Sequence, residues 1–88
     1  MVYYEIMSWI VYILECADRS LYTGITCDME RRLEAHQNGI ASRYTRSRLP
    51  VKLVYEETSP SRSSALKRES IIKHMTRADK LLLLESRE

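Results

Sequence analysis

The sequence predicts a small α+β domain, a three-stranded, largely antiparallel sheet flanked by helices in the order ββαβαα. Three observations predict it. Two runs rich in β-branched and aromatic residues, WIVYILEC and LYTGI, stand on either side of a short polar break. After Asp28 the hydrophobic period changes from that of a strand to that of a helix, and a later run, VKLVYE, changes it back. Beyond that run the chain carries helix-start signals.

Residues 9–16 are apolar almost throughout, as in a strand covered on both faces. Ala17-Asp18-Arg19-Ser20 has turn composition, and a second strand over 21–25 completes a hairpin. Asp28 is a good N-cap, Met29 and Leu33 lie one helical turn apart, and Asn38-Gly39 is a natural stop. These place a helix at about 28–37. Residues 40–50 (IASRYTRSRLP) read as irregular, polar and basic, and a third strand follows at 51–56. Ser59-Pro60 offers an N-cap with proline at the first helical position, opening a helix over about 60–75. Thr76, with Asp79 three residues on, resembles a capping box and starts a separate last helix at 77. Its leucines, Leu81 to Leu84, are expected to cover the sheet.

Eighty-eight residues suffice for one domain, near the lower end of what folds on a single core. The predicted division is an N-terminal extension over 1–8, the domain over 9–84 and a tail over 85–88, with Met7 a candidate alternative start. A formal charge of +2 permits nucleic-acid binding without arguing for it, so that case rests on where the charges sit. Cys16 and Cys27 lie eleven apart with no CxxC, too few for a disulfide scaffold or a zinc site of familiar spacing. They read as buried or half-buried free thiols in a reducing cytosol. No apolar run approaches the roughly 20 residues of a membrane span, and the first residues lack the basic start of a signal peptide. A soluble, cytoplasmic protein is expected.

Tyr12, Tyr22 and Arg32 follow one another at intervals of ten, on the first strand, the second strand and the first helix. Whether the two phenols share a face depends on the hairpin loop. An odd loop, pairing Cys16 with Tyr22 for example, puts them together, and an even loop separates them. Gly24 marks either a close backbone approach or room for a phosphate. Arg32 and His36 are four apart and project from one helix face, beside the Met29–Leu33 stripe; each also reads as an ordinary packing or solvated residue. Glu69 falls inside the inward arc formed with Ala65, Leu66 and Ile72. Drawn inward, its carboxylate needs a cation, hydrogen bonds or a metal, and Lys73 stands one turn away. Between residues 40 and 52, Arg43, Arg46, Arg48 and Lys52 supply a local charge of +4, with Tyr44 among them and no acid. Cations interleaved with an aromatic suit phosphate contact and base stacking as well as they suit a solvated loop.

Taken in order, V11-Y12-I13, Y22-T23-G24, D28-M29-E30-R31-R32-L33-E34-A35-H36 and A65-L66-K67-R68-E69 resemble the GIY-YIG nuclease family. More closely they resemble the small, functionally uncharacterised proteins that consist of this domain and nothing else. The likeness spans about residues 9–84. Ile10 and Val11 stand where the family name has Gly and Ile, Thr23 replaces the middle Ile of the second motif, and no late asparagine follows Glu69.

The resemblance implies a GIY-YIG endonuclease-like fold and phosphodiester hydrolysis in DNA, or in RNA, of a kind used in repair or recombination. It implies that Tyr12 and Tyr22 lie near the attacking water, that Arg32 contacts the scissile phosphate, and that His36 lines the cleft. Glu69 takes the place of the family's metal-binding glutamate, holding Mg²⁺ or Mn²⁺ weakly until substrate completes the shell. Phenolate at a tyrosine would need a cationic pocket, because free phenol titrates near 10. Arg43, Tyr44, Arg46, Arg48 and Lys73 are the candidate nucleic-acid contacts. The chain is expected to act as a monomer that recognises nucleic-acid shape, depends on a protein partner for targeting, or cleaves with little preference. The alternative is a non-catalytic nucleic-acid-binding module that retains the scaffold, and a third reading is an interaction module that docks through Leu81–Leu84.

Overall fold

The computed structural model describes residues 8–86. Residues 1–7 of the predicted extension, Met7 among them, and residues 87–88 of the tail lie outside the described residues. The elements are β1 (Trp9–Glu15), β2 (Leu21–Thr26), α1 (Met29–Gln37), α2 (Arg43–Arg46), β3 (Lys52–Ser59), α3 (Arg62–Lys73) and α4 (Arg77–Glu85). The predicted α+β class and its antiparallel sheet are borne out. The strand order is β2-β1-β3, with β1 antiparallel to both neighbours. Its residues Val11, Tyr12, Ile13 and Leu14 are all buried, as the central strand of a sheet covered on both faces requires.

The hairpin settles the question of faces. Leu14 pairs with Tyr22 and Glu15 with Leu21, which leaves five residues, 16–20, in the loop. The count is odd, so Tyr12, Leu14 and Tyr22 share one face, with Leu14 rather than Cys16 opposite Tyr22. Arg19 takes a positive φ of 72°, and Asp18 Oδ1 accepts from the Ser20 N–H, holding the turn.

Each face of the sheet has its own apolar core. Val11 and Ile13 pack with Tyr55, Ala65 and Ile72 beneath α3, joined by Leu83 and Leu84 of α4. Tyr12, Leu14, Cys16 and Val51 pack on the other face, joined by Met29 and Leu33 of α1. The β1–β3 register slips between Ile13 and Leu14, so that Tyr55 faces Ile13 while Leu53 faces Leu14. That irregularity lets two β3 residues of equal parity serve opposite cores.

Several expectations need correction. Residues 40–50 are not wholly irregular, because Ser42 caps a short helix by accepting from the Tyr44 and Thr45 N–H groups. Pairing of Trp9 with Ser59 extends β3 past its predicted end, so α3 starts later, capped by Ser61 in a box with Ser64. Of the four leucines of α4, Leu83 and Leu84 join the core, whereas Leu81 and Leu82 are exposed. Leu66 is exposed too, because α3 meets the sheet along Ala65 and Ile72. Cys16 is buried as expected, but Cys27 is exposed. No helix among the described residues is long and apolar enough to cross a membrane.

Candidate active site at the edge of the sheet

Tyr12 and Gly24 are cross-strand partners, and the Tyr12 ring lies directly over the glycine. A Cβ at Gly24 would sit 2.6 Å from the Tyr12 hydroxyl oxygen and 2.7 Å from the ring carbon that bears it. Gly24 therefore makes room for the ring, not for a phosphate. The ring crosses β2 toward the sheet edge, where its hydroxyl meets α1. Tyr12 Oη lies 2.9 Å from His36 Nε2, and His36 Nδ1 lies 2.8 Å from Thr45 Oγ1. All three residues are buried, with Tyr12 2%, His36 1% and Thr45 0% exposed. His36 does not line an open cleft, as expected of it; it is the buried middle of a hydrogen-bonded row joining β1, α1 and α2.

Tyr22 lies beside that row, its ring centroid 6.4 Å from Tyr12 and 5.2 Å from His36. On its other side it stacks with Tyr44 at 6.0 Å. Arg48 covers the Tyr44 ring at 3.8 Å, donates from Nε to Asp18 Oδ2 at 3.1 Å and donates to the Tyr44 carbonyl. This corrects the reading of Arg48 as a phosphate contact, since its guanidinium fastens the α2 segment to the hairpin turn. Arg43 and Arg46 are exposed.

Arg32 is exposed on α1, one turn before His36. It lines a cleft of about 440 Å³ with Thr26, Cys27, Asp28, Arg31, Ala35, Ile40 and Ala41. Its charge reaches both Tyr12 and His36. On the far side of the β2 edge, Glu69 comes from α3 near enough to act electrostatically on Tyr12. Its side chain is 17% exposed and pairs with Lys73 at 3.4 Å. Lys73 lines a second cleft of about 220 Å³ with Leu21, Tyr22, Thr23, Tyr44 and Lys80. Thr23, the middle of the second tyrosine motif, turns to the α3 face, and its buried Oγ1 has no hydrogen-bond partner among the described residues.

Burial raises the Tyr12 phenol well above its ordinary value near 10, Tyr22 and Glu69 raise it further, and Arg32 offsets part of this. The expectation that neighbouring cations would bring a tyrosine toward phenolate is thus reversed for Tyr12, because desolvation outweighs the guanidinium. His36 is held below its usual value by burial and then by Arg32, both of which favour the neutral ring.

Among the described residues no three His, Cys, Asp or Glu side chains cluster as a metal cage. Glu69 nevertheless suits a hard cation. It is a single, mostly buried carboxylate oxygen donor that acts electrostatically on Tyr12, and Mg²⁺ commonly keeps several waters and takes its remaining ligands from substrate phosphate. The structure adds residues the sequence reading passed over: Thr45, Ser42, Arg31 and Lys80. Ser42 ahead of Arg43-Tyr44-Thr45 is an N-cap signal that would have revealed α2. Nothing in the chain before folding points Thr45 at His36.

Known proteins resemble this chain throughout. The model of the GIY-YIG catalytic domain matches residues 8–81. A UPF0213 protein of Syntrophus aciditrophicus is 54% identical over 76 residues, covering 85% of this chain and 87% of that protein. One from Streptococcus sanguinis is 48% identical over 77 residues, 88% of each chain. The solution structure of the UPF0213 protein of Bacillus halodurans is 42% identical, with a TM-score of 0.61 over 92% of this chain and 86% of its own. An Enterococcus faecalis protein solved in solution gives 38% identity and a TM-score of 0.63, over 90% and 84%. On these matches and on its ordered tyrosine, tyrosine-x-glycine, arginine and glutamate positions, the chain belongs to the GIY-YIG catalytic domain family, among the small proteins called UPF0213.

Proposed function

We propose that this chain is a divalent-metal-dependent endonuclease that hydrolyses phosphodiester bonds in DNA, with the β2 edge as its active site. One observation carries the reading: Tyr12, hydrogen-bonded to His36, is within electrostatic reach of both the Arg32 guanidinium and the Glu69 carboxylate. A buried phenol paired with a neutral imidazole, flanked by opposite charges from helices on opposite faces, has no need to exist for packing alone.

In this reading Arg32 binds the phosphoryl oxygens with its planar fork and stabilises the charge that develops on them. Tyr12 receives a proton from the attacking water while passing its own to His36, so free phenolate is never required. Tyr22, beside both, positions the water. Glu69 would hold Mg²⁺ or Mn²⁺, which supplies Lewis-acid polarisation of the phosphate when bound. Exposed Arg43 and Arg46 add phosphate contacts away from the scissile bond.

The test incubates purified protein with branched and single-stranded DNA, and with RNA, in Mg²⁺, Mn²⁺ or chelator. Wild type is compared with Glu69→Ala and Arg32→Ala. Metal-dependent cleavage that falls by about 10²-fold or more in both variants is the expected result. Equal turnover in all three would remove the proposal. Salt-dependent binding by wild type with no turnover on any substrate would instead establish a non-catalytic binder.

A further inference from the structure

We propose that Thr45 is a positioning residue for His36: it fixes the imidazole as the Nδ1–H tautomer, so that Nε2 faces Tyr12 as an acceptor. The catalytic consequence rests on the nuclease reading above, whereas the tautomer itself does not.

The assignment follows from counting protons along the buried row. Thr45 Oγ1 lies 3.4 Å from the Ser42 carbonyl, three residues earlier, and a carbonyl oxygen can only accept. In the inferred direction the single hydroxyl proton of Thr45 points there, in the long back-bond that threonine makes to a preceding turn. Thr45 Oγ1 is then left as the acceptor at 2.8 Å from His36 Nδ1, which must donate. A neutral ring with its proton on Nδ1 has a lone pair on Nε2, and Tyr12 Oη, 2.9 Å away, donates to it. Phenol is a better donor than acceptor, so the other end of the row favours the same direction. Thr45 is 0% exposed, and water cannot substitute for it.

The opposite tautomer would turn the row around. An Nε2–H would donate to Tyr12 and leave no base for the phenolic proton. With the direction set as inferred, the step balances: an O–H bond of the attacking water breaks as its oxygen bonds to phosphorus, Tyr12 Oη gains that proton and its original proton moves to Nε2, while the ester P–O bond breaks and the leaving oxygen takes a proton from solvent. His36 becomes imidazolium, with Nδ1–H still donating to Thr45. Thr45, carried on the short helix α2 that the Ser42 cap and Arg48 over Tyr44 hold in place, thus acts on the chemistry without itself touching substrate.

Heteronuclear NMR of isotope-labelled full-length protein reads the tautomer directly, with His36→Gln identifying the resonances against those of His74. Wild type is expected to show a protonated Nδ1 and an unprotonated Nε2. Thr45→Val keeps the side-chain shape but removes the acceptor; it should lose that single tautomer and lower kcat by about 10- to 10³-fold with little change in KM. Thr45→Ser restores the hydroxyl and should recover both. An Nε2–H tautomer in wild type, or an unchanged spectrum in Thr45→Val, would overturn the proposal, as would a Thr45→Ser protein that folds but stays in the altered state. If Thr45→Val does not fold, the wild-type and Thr45→Ser spectra still decide. Should no substrate be cleaved even by wild type, the nuclease reading fails while the spectra continue to judge the tautomer.

Discussion

At the scale of single residues, Gly24 and His36 carry the sharpest expectations. Gly24→Ala forces a methyl to within 2.6 Å of a buried, hydrogen-bonded phenol. Overpacking of this kind costs about 1–3 kcal/mol, and it should push Tyr12 Oη off His36, so denaturant midpoint and turnover fall together. His36 gives a pH prediction. Its folded value lies below its ordinary 6.5, so the unfolded chain takes up the proton first as pH falls. The stability that neutral His36 contributes is present above that ordinary value and is lost as pH drops through the folded one. Urea midpoints should decline as pH falls below that ordinary value, and His36→Gln should flatten the decline. Tyr12 works in the opposite sense, since its raised value removes stability only in strongly alkaline solution. The residues legible from sequence were those whose position follows from local period. Arg32 and His36 share a helix face by spacing, and Glu69 falls inward on a wheel. Thr45 was not legible, because its partner lies across a turn whose path depends on Arg48, Tyr44 and the hairpin together.

At the scale of elements, α3 is secured by a side-chain clamp as well as by apolar contact. Arg68 donates from Nε to Glu57 Oε2 at 2.7 Å and from a terminal nitrogen to Oε1 at 3.2 Å, and Tyr55 donates to the same carboxylate. Charge-assisted pairs of this geometry contribute more than surface ion pairs. Arg68→Ala should lower stability by about 1–3 kcal/mol in chemical denaturation. Because Glu69 is the next residue, the cleavage proposed for this chain should weaken even where the protein stays folded. The helices α1 and α4 were predicted within a residue or two because Asp28 and Thr76 are capped starts that need no tertiary partner. The start of α3 was misplaced for a tertiary reason. The stretch Ser59-Pro60-Ser61 offers two caps, and β1 claims the first by pairing Trp9 with Ser59.

At the scale of the whole molecule, the candidate site gathers groups from both layers. Tyr12, Tyr22, Arg32 and His36 belong to the α1 face, and Glu69 arrives with the α3 face, so the edge of β2 is where the layers meet. Cations lie on both flanks, Arg31 and Arg32 in one cleft and Lys73 and Lys80 in the other. Binding of single-stranded DNA, followed by fluorescence anisotropy, should therefore depend steeply on salt. Arg43→Ala, Arg46→Ala or Lys80→Ala should each reduce the slope by about one ion. Arg48→Ala should leave the slope nearly unchanged and lower thermal stability, because that guanidinium is already engaged. The hairpin also constrains how this gene can vary. Five residues separate Glu15 from Leu21. Descendants can gain or lose codons there and keep the β2 edge as long as Leu14 stays opposite Tyr22. A slip of β2 by one residue against β1 would roll it over, presenting the Thr23 hydroxyl where the second phenol belongs.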